Sequence, residues 1–253
     1  MVDENPVLTM CELRLHAAAA DLLCGIKDDA FKLITDAISE GRRLSEFDVK
    51  DYITRRYAEA GLVSSGMPVV AFGEGTREPH HAARNDEFIG PDTLVLVDVF
   101  AKVDEESGIY ADMTWMGYTG EKIPSKYADA FAIIAGARDA VLEKLRRSFV
   151  EGIPVRGFEL DDAARCFITE RGLGGFFTHR TGHSLGRELV GEGVCPDNYK
   201  MKDERVVVSG SCFTVEPGVY LRDFGVRTEV DVYVSEEGMN VSTGIQNEIR
   251  RLI

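Results

Sequence analysis

The chain has 253 residues, 44% of them hydrophobic and 28% charged, a composition of ordinary globular proteins with enough apolar material for a sizeable core. Its formal charge of −14 argues against nucleic acid and anionic membrane surfaces, which are bound through clustered Lys and Arg. Cys11, Cys24, Cys166, Cys195 and Cys212 are odd in number and include no C-x-x-C pair, so neither a disulfide framework nor a zinc knuckle is expected. The N-terminal Met1-Val2-Asp3-Glu4-Asn5-Pro6 lacks the features of a signal peptide, and no stretch reaches the ~18 apolar residues that span a bilayer, so a cytoplasmic protein is expected.

In chain order, apolar residues at helical spacing predict a helix over Leu8 to Ile26, and Asp28 to Glu40 continues the pattern. Ser45-Glu46-Phe47-Asp48 resembles a capping box and starts a third helix through about Ala60, ended by Gly61. Strand-like runs follow at Pro68 to Phe72, Thr93 to Val103 and Ile109 to Met116. Two amphipathic helices are predicted at Ser125 to Val150 and Leu160 to Arg171, then a hairpin of Phe213 to Leu221 with Val226 to Val234. No linker, low-complexity tract or short-period repeat interrupts this order, so residues 1–253 are expected to form a single α+β domain.

Several acids stand where a bare charge is costly. Asp98 interrupts Leu94-Val95-Leu96-Val97-Asp98-Val99-Phe100, and an ionised carboxylate in an apolar strand costs several kcal/mol unless a partner offsets it. That partner is either a metal or an ordinary one such as an Arg. Asp112 repeats the situation on the following strand, and the Pro217-Gly218 break after Glu216 suits an acid aimed into a cavity. In Gly225-Val226-Arg227-Thr228-Glu229-Val230-Asp231 strand alternation puts Arg227, Glu229 and Asp231 on one face, which fits either a site or the solvated side of a hairpin. His179 and His183 lie four apart, but the surrounding glycines oppose a helix and the Glu of H-E-x-x-H is missing, which excludes a zincin. A loop histidine here is either a metal ligand or a satisfied structural imidazole.

Taken together, His179-Arg180-Thr181-Gly182-His183-Ser184-Leu185-Gly186, Val215-Glu216-Pro217-Gly218-Val219-Tyr220-Leu221 and Gly225-Val226-Arg227-Thr228-Glu229-Val230-Asp231-Val232 resemble, in order, the catalytic domain of the pita-bread metallopeptidases. That family comprises prolidase, aminopeptidase P and methionine aminopeptidase, and the motifs are most similar to its Xaa-Pro branch. The resemblance runs from the first helix to Gln246-Asn247-Glu248-Ile249 and implies a curved, mostly antiparallel sheet flanked by helices, without the separate N-terminal domain of prolidases. It implies Asp98, Asp112, His183, Glu216 and Glu229 as metal ligands, with Asp112 and Glu229 bridging. His179 and His80 match active-site histidines, Glu216 is matched as proton shuttle as well as ligand, and Arg227 matches an arginine behind the ligands.

An oxygen-rich set with one imidazole suits two divalent ions, Mn first and Co, Zn or Fe next, roughly 3.5 to 4 Å apart with a hydroxide nucleophile between them. The implied reaction is hydrolysis at Xaa-Pro bonds, with a peptide carrying proline at its second position as substrate and a homodimer as an option. The alternatives are a non-catalytic pita-bread binding module and a non-peptidase member.

One segment and three positions depart from the family pattern. The Asp98 to Asp112 segment is three residues longer, Phe100 replaces a glycine, Trp115 replaces an arginine, and Val190 stands where a further histidine is usual. The Val190 change implies slow catalysis, unless His81 or His179 compensates.

Overall fold

In the computed structural model, residues 6–253 are described; the reading of the extreme N-terminus therefore concerns residues 1–5, which lie outside them. Thr9 and Glu12 form a reciprocal capping box, and from it helix α1 runs unbroken over Met10–Ser39. The sequence predicted two helices here. They are one because the buried stripe Leu23, Ile26, Ala30, Phe31 and Ile34 keeps its phase through Lys27 and Asp28, and no proline stops it. Lys27 tolerates burial by laying its ammonium 3.7 Å from the ring centroid of Trp115. Helix α2 (Glu46–Glu59) starts at the expected Ser45 capping box with Asp48 as its second member, so two helices precede the strands.

The first half then builds a sheet from β1 (Leu62–Val63), β2 (Val69–Phe72), β3 (Leu94–Val103) and β4 (Ala111–Tyr118). Strand β3 is its centre, antiparallel to β1, β2 and β4, with Asp98 opposite both Val69 and Thr114, and Phe100 opposite Asp112. The two-residue β1 has no sequence signal of its own. The second half repeats the plan: helices α3 (Ser125–Glu151) and α4 (Gly157–Glu170) precede β5 (Cys212–Val215), β6 (Gly218–Tyr220), β7 (Gly225–Arg227), β8 (Val230–Ser235) and β9 (Gly238–Val241), and β10 (Arg250–Arg251) pairs parallel to β4.

Two large apolar clusters, with a smaller one around Phe100 and Tyr110, form the core of the described residues. Helices α1 and α2 bury Ala19, Leu23, Phe31, Val49 and Ile53 against Val95, Val97 and Val99 of β3. Helices α3 and α4 bury Phe131, Ile134, Val141, Leu160 and Ile168 against Phe213, Val215, Val230 and Val232. The helices thus cover the outer side of both strand sets and leave the inner side for polar residues. No helix among the described residues is long and apolar enough to cross a membrane.

The predicted hairpin around Arg222 to Gly225 is present but broken in its middle. The inner ladder pairs β6 with β7 and ends at Gly218 opposite Arg227; the outer ladder pairs β5 with β8 and ends at Val215 opposite Val230. Glu216-Pro217 and Thr228-Glu229 fall in the gap. Pro217 has no N–H to give a ladder, and its carbonyl accepts from Thr228 N at 3.3 Å instead.

Candidate metal centre

The ladder break turns two glutamates inward, toward the face of β3 and β4 that carries Asp98 and Asp112. All five residues named from the sequence, Asp98, Asp112, His183, Glu216 and Glu229, line one cavity of about 360 Å³, and His80, His179, Arg227 and Val190 line it as well. Donor atoms of Asp112, His183 and Glu229 lie within 4.8 Å of one another. His183 Nε2 is also 3.7 Å from both Asp112 Oδ2 and Glu216 Oε1. Asp98 stands two residues from Phe100 on the same strand face, one step along the ladder from Asp112.

Each donor is aimed by a neighbour. His183 donates its backbone N–H to Thr214 Oγ1 (3.0 Å), and its Nδ1 lies 3.1 Å from Ser184 O. That contact assigns the proton to Nδ1 and leaves Nε2 as a lone pair facing the carboxylates. Thr114 Oγ1 donates to Glu229 Oε2 at 2.7 Å and accepts from Arg227 Nε at 2.9 Å. Arg227 also donates to Asp98 Oδ2 at 2.5 Å, Pro79 O at 3.1 Å and Tyr220 Oη at 3.2 Å. Behind Asp112, Asp231 Oδ2 accepts the Asp112 N–H at 2.8 Å, while the imidazole of His16 from α1 spans Tyr110 O (2.8 Å) and Ser242 Oγ (2.6 Å).

The charged strand face is therefore buried, not solvated: Arg227, Glu229 and Asp231 are all below 5% exposed. Asp98 has the Arg partner that was the ordinary alternative to a metal, and it still keeps one oxygen free. Asp98 Oδ1 and Asp112 Oδ1 are buried without a hydrogen-bond partner. Burial, and then the negative charges of Glu229 and Asp98, push the Asp112 carboxyl well above the usual carboxylate range. Burial, followed by Glu216 and Asp98, does the same to Glu229. Asp98 is raised by burial and held back by Arg227. Orphaned, desolvated oxygens around one neutral imidazole fit divalent cations, which would supply the missing partners and charge.

The histidines divide. His179 is a satisfied ring: Nδ1 lies 2.7 Å from Arg180 O, Nε2 lies 3.1 Å from Tyr220 Oη, and burial lowers its pKa to about 4. His183 is likewise lowered to about 4 by burial, so both are neutral near pH 7. His80 reaches the cavity, whereas His81 is bound to Glu46 Oε2 at 2.8 Å and stands outside the lining, so it cannot compensate for Val190. Trp115 points to α1 and also lies outside the lining, so its departure from the family pattern leaves the cavity untouched.

Thr114, Tyr220 and His16 were missed from sequence, and Asp231 was placed only on the charged strand face, without its role behind Asp112. A Thr or Tyr in a strand is commonplace; only the register placing Thr114 opposite Asp98 marks it.

Comparison with known proteins agrees with this arrangement. Residues 20–236 match the profile of metallopeptidase family M24. Over 230 residues the chain is 30% identical to an Xaa-Pro dipeptidase of Pyrococcus furiosus, covering 89% of this chain and 61% of that protein. Among solved structures it is similar to an Xaa-Pro dipeptidase from Bacillus anthracis (28% identity, TM-score 0.77, covering 97% of this chain and 64% of the other). A Thermotoga maritima X-Pro aminopeptidase is similar at 26% identity and TM-score 0.80, with the same coverages. The fold is the pita-bread fold of these peptidases, and the chain spans about three fifths of the length of the curated relatives it matches. Since the profile match takes in most of the chain and all five motif residues, this chain belongs to metallopeptidase family M24.

Proposed function

We propose that residues 1–253 form one catalytic unit that hydrolyses the bond preceding proline, in the manner of a prolidase or aminopeptidase P. Asp98, Asp112, His183, Glu216 and Glu229 would hold two divalent ions, Mn before Co, Zn or Fe. The observation that carries this reading is the meeting of all five residues in one cavity with two buried carboxylate oxygens left unpartnered. The Xaa-Pro dipeptidases and X-Pro aminopeptidase among its relatives support the choice of substrate.

When bound, the ions supply Lewis acidity toward the scissile carbonyl and an activated water as nucleophile. Arg227 fixes one oxygen of Asp98 and, through Thr114, one oxygen of Glu229, so their remaining oxygens are preorganised. Glu216 receives the proton released by the attacking water and returns it to the leaving amine. His179, neutral and held by Tyr220, and His80 from the Glu78-Pro79-His80-His81 segment position the peptide. Val190 presents a branched alkyl group, half exposed, where an imidazole would assist, so turnover is slow for this chemistry. A cytoplasmic location and a homodimer belong to the same reading.

The test is a peptide panel on Mn-loaded protein. Xaa-Pro dipeptides and Xaa-Pro-starting peptides should be cleaved and Met-Ala-Ser-type peptides spared. Removal of initiator methionine with no action on Xaa-Pro bonds would overturn the specificity, and binding without cleavage of any peptide would favour a binding module.

A further inference from the structure

The cavity has an apolar wall directly beside the candidate ligands. Val69 stands opposite Asp98 in the β2–β3 ladder, and Phe100 stands opposite Asp112 in the β3–β4 ladder, on the same strand face as Asp98. Leu189, packed in the same small cluster as Phe100, and Val190 complete that wall. Apart from Pro79, the remaining lining is charged or imidazole-bearing, with Arg180, Lys200 and Arg227 among it. A peptide whose carbonyl sits at the ligands has one apolar place for the side chain of that residue, against Phe100.

The ring cannot readily retreat. Phe100 is 9% exposed, its N–H donates to Tyr57 Oη at 3.1 Å, and its far edge abuts Gly66, where an added Cβ would lie 3.0 and 3.2 Å from two ring carbons. Lys102 Nζ ties the strand to Arg187 O at 2.6 Å, holding the loop that carries Leu189 and Val190.

We infer that Phe100, braced by Gly66, sets the size of the first substrate residue, favouring small side chains over aromatic ones; this rests on the peptidase reading above. Two variants move the wall in opposite directions. Phe100→Ala removes it, whereas Gly66→Ala pushes the ring into the cavity, and Gly66 lies outside the left-handed backbone region, so alanine is tolerated there.

The experiment uses the Mn-loaded protein with Ala-Pro, Leu-Pro and Phe-Pro, measuring kcat/KM for turnover and Kd by calorimetry. The Phe-Pro to Ala-Pro ratio should rise at least about tenfold in Phe100→Ala and fall in Gly66→Ala, the scale on which apolar pockets sort side chains by size. If Phe100→Ala fails to fold, Gly66→Ala decides alone. Opposite shifts in Kd without any turnover would uphold the role of Phe100 and retract the hydrolytic reading. An unchanged rank order by both measures would overturn the role of Phe100, with or without turnover, and absence of both binding and turnover would overturn both readings.

Discussion

Arg227 donates to one oxygen of Asp98 at 2.5 Å and leaves the other oxygen buried with no partner, so the pair neutralises half of the acid's demand and keeps the other half for a cation. The same guanidinium reaches Glu229 through Thr114, which couples two candidate ligands to a single side chain.

Replacing Arg227 with Lys removes the fork while keeping the charge, and the two sites are no longer held together. Mn affinity should fall by about 10- to 100-fold, the usual scale for residues supporting metal ligands, with Thr114→Val showing a smaller loss. Competition against a metal-sensitive dye measures this. Unchanged affinity in both variants would remove the supporting role.

Asp112→Asn and Glu229→Gln each replace a carboxyl whose ionisation the metal-free cavity opposes. The metal-free double variant should melt higher than metal-free wild type, because like charges crowd the cavity. Its melting temperature should no longer respond to Mn, whereas wild type should gain about 2.7 kcal/mol for each ion bound at a hundredfold excess over its Kd. Thermal melts with and without Mn check both halves.

The pH response of the metal-free protein follows from two opposed sets. The raised carboxyls Asp98, Asp112 and Glu229 hold protons in the fold that the unfolded chain has released, so their contribution is full at low pH and is lost as pH climbs through their raised values. His16, His179 and His183, lowered by burial to about 4, work the other way: their contribution is present above about 6.5 and lost as pH falls toward 4. Above pH 6.5 the histidines no longer contribute a change, while Asp112 and Glu229, raised well above the carboxylate range, still lose stability as pH rises, with the raised thiols of Cys195 and Cys212 adding to the loss. The melting temperature of chelated protein should therefore decline as pH rises above 6.5, and Mn should flatten most of the decline. Parallel curves with and without Mn would contradict the electrostatic picture.

Val190→His returns an imidazole to the cavity wall at a half-exposed position where folding should be little affected. Metal content should stay constant while kcat on an Xaa-Pro peptide rises on the order of 10²-fold, the lower range for a positioned proton-transfer group. A fast natural protein slowed by the substitution would show that no catalytic group is missing.

Asp98 and Glu216 stood out because each breaks a local rule, Asp98 by charging an apolar strand and Glu216 by preceding a proline that cannot continue one, whereas the ligand set as a whole came only with the resemblance to the pita-bread family. The His183 loop was legible through its motif, since its glycines prevent a helix. What supports these residues was not legible. His16 reads as one more position on an amphipathic helix, and Tyr220 as a strand aromatic, until the two strand sets fold toward each other. The hairpin was correctly anticipated, but its gap at Glu216 and Glu229 depends on the register of two ladders, which alternation alone does not supply. The joining of two predicted helices into α1 shows the same limit, since Lys27 can be buried where the Trp115 ring of β4 faces α1, a contact that only the fold supplies.

The central claim is that these five residues hold two ions that carry out hydrolysis at Xaa-Pro bonds. Its most direct test is to strip the protein with chelator and titrate Mn while following Ala-Pro hydrolysis and bound metal together. Activity should be absent without metal and should saturate as the second equivalent binds, with Asp112→Asn inactive throughout. Two bound equivalents with no Xaa-Pro cleavage, or cleavage that persists in the stripped protein, would contradict it.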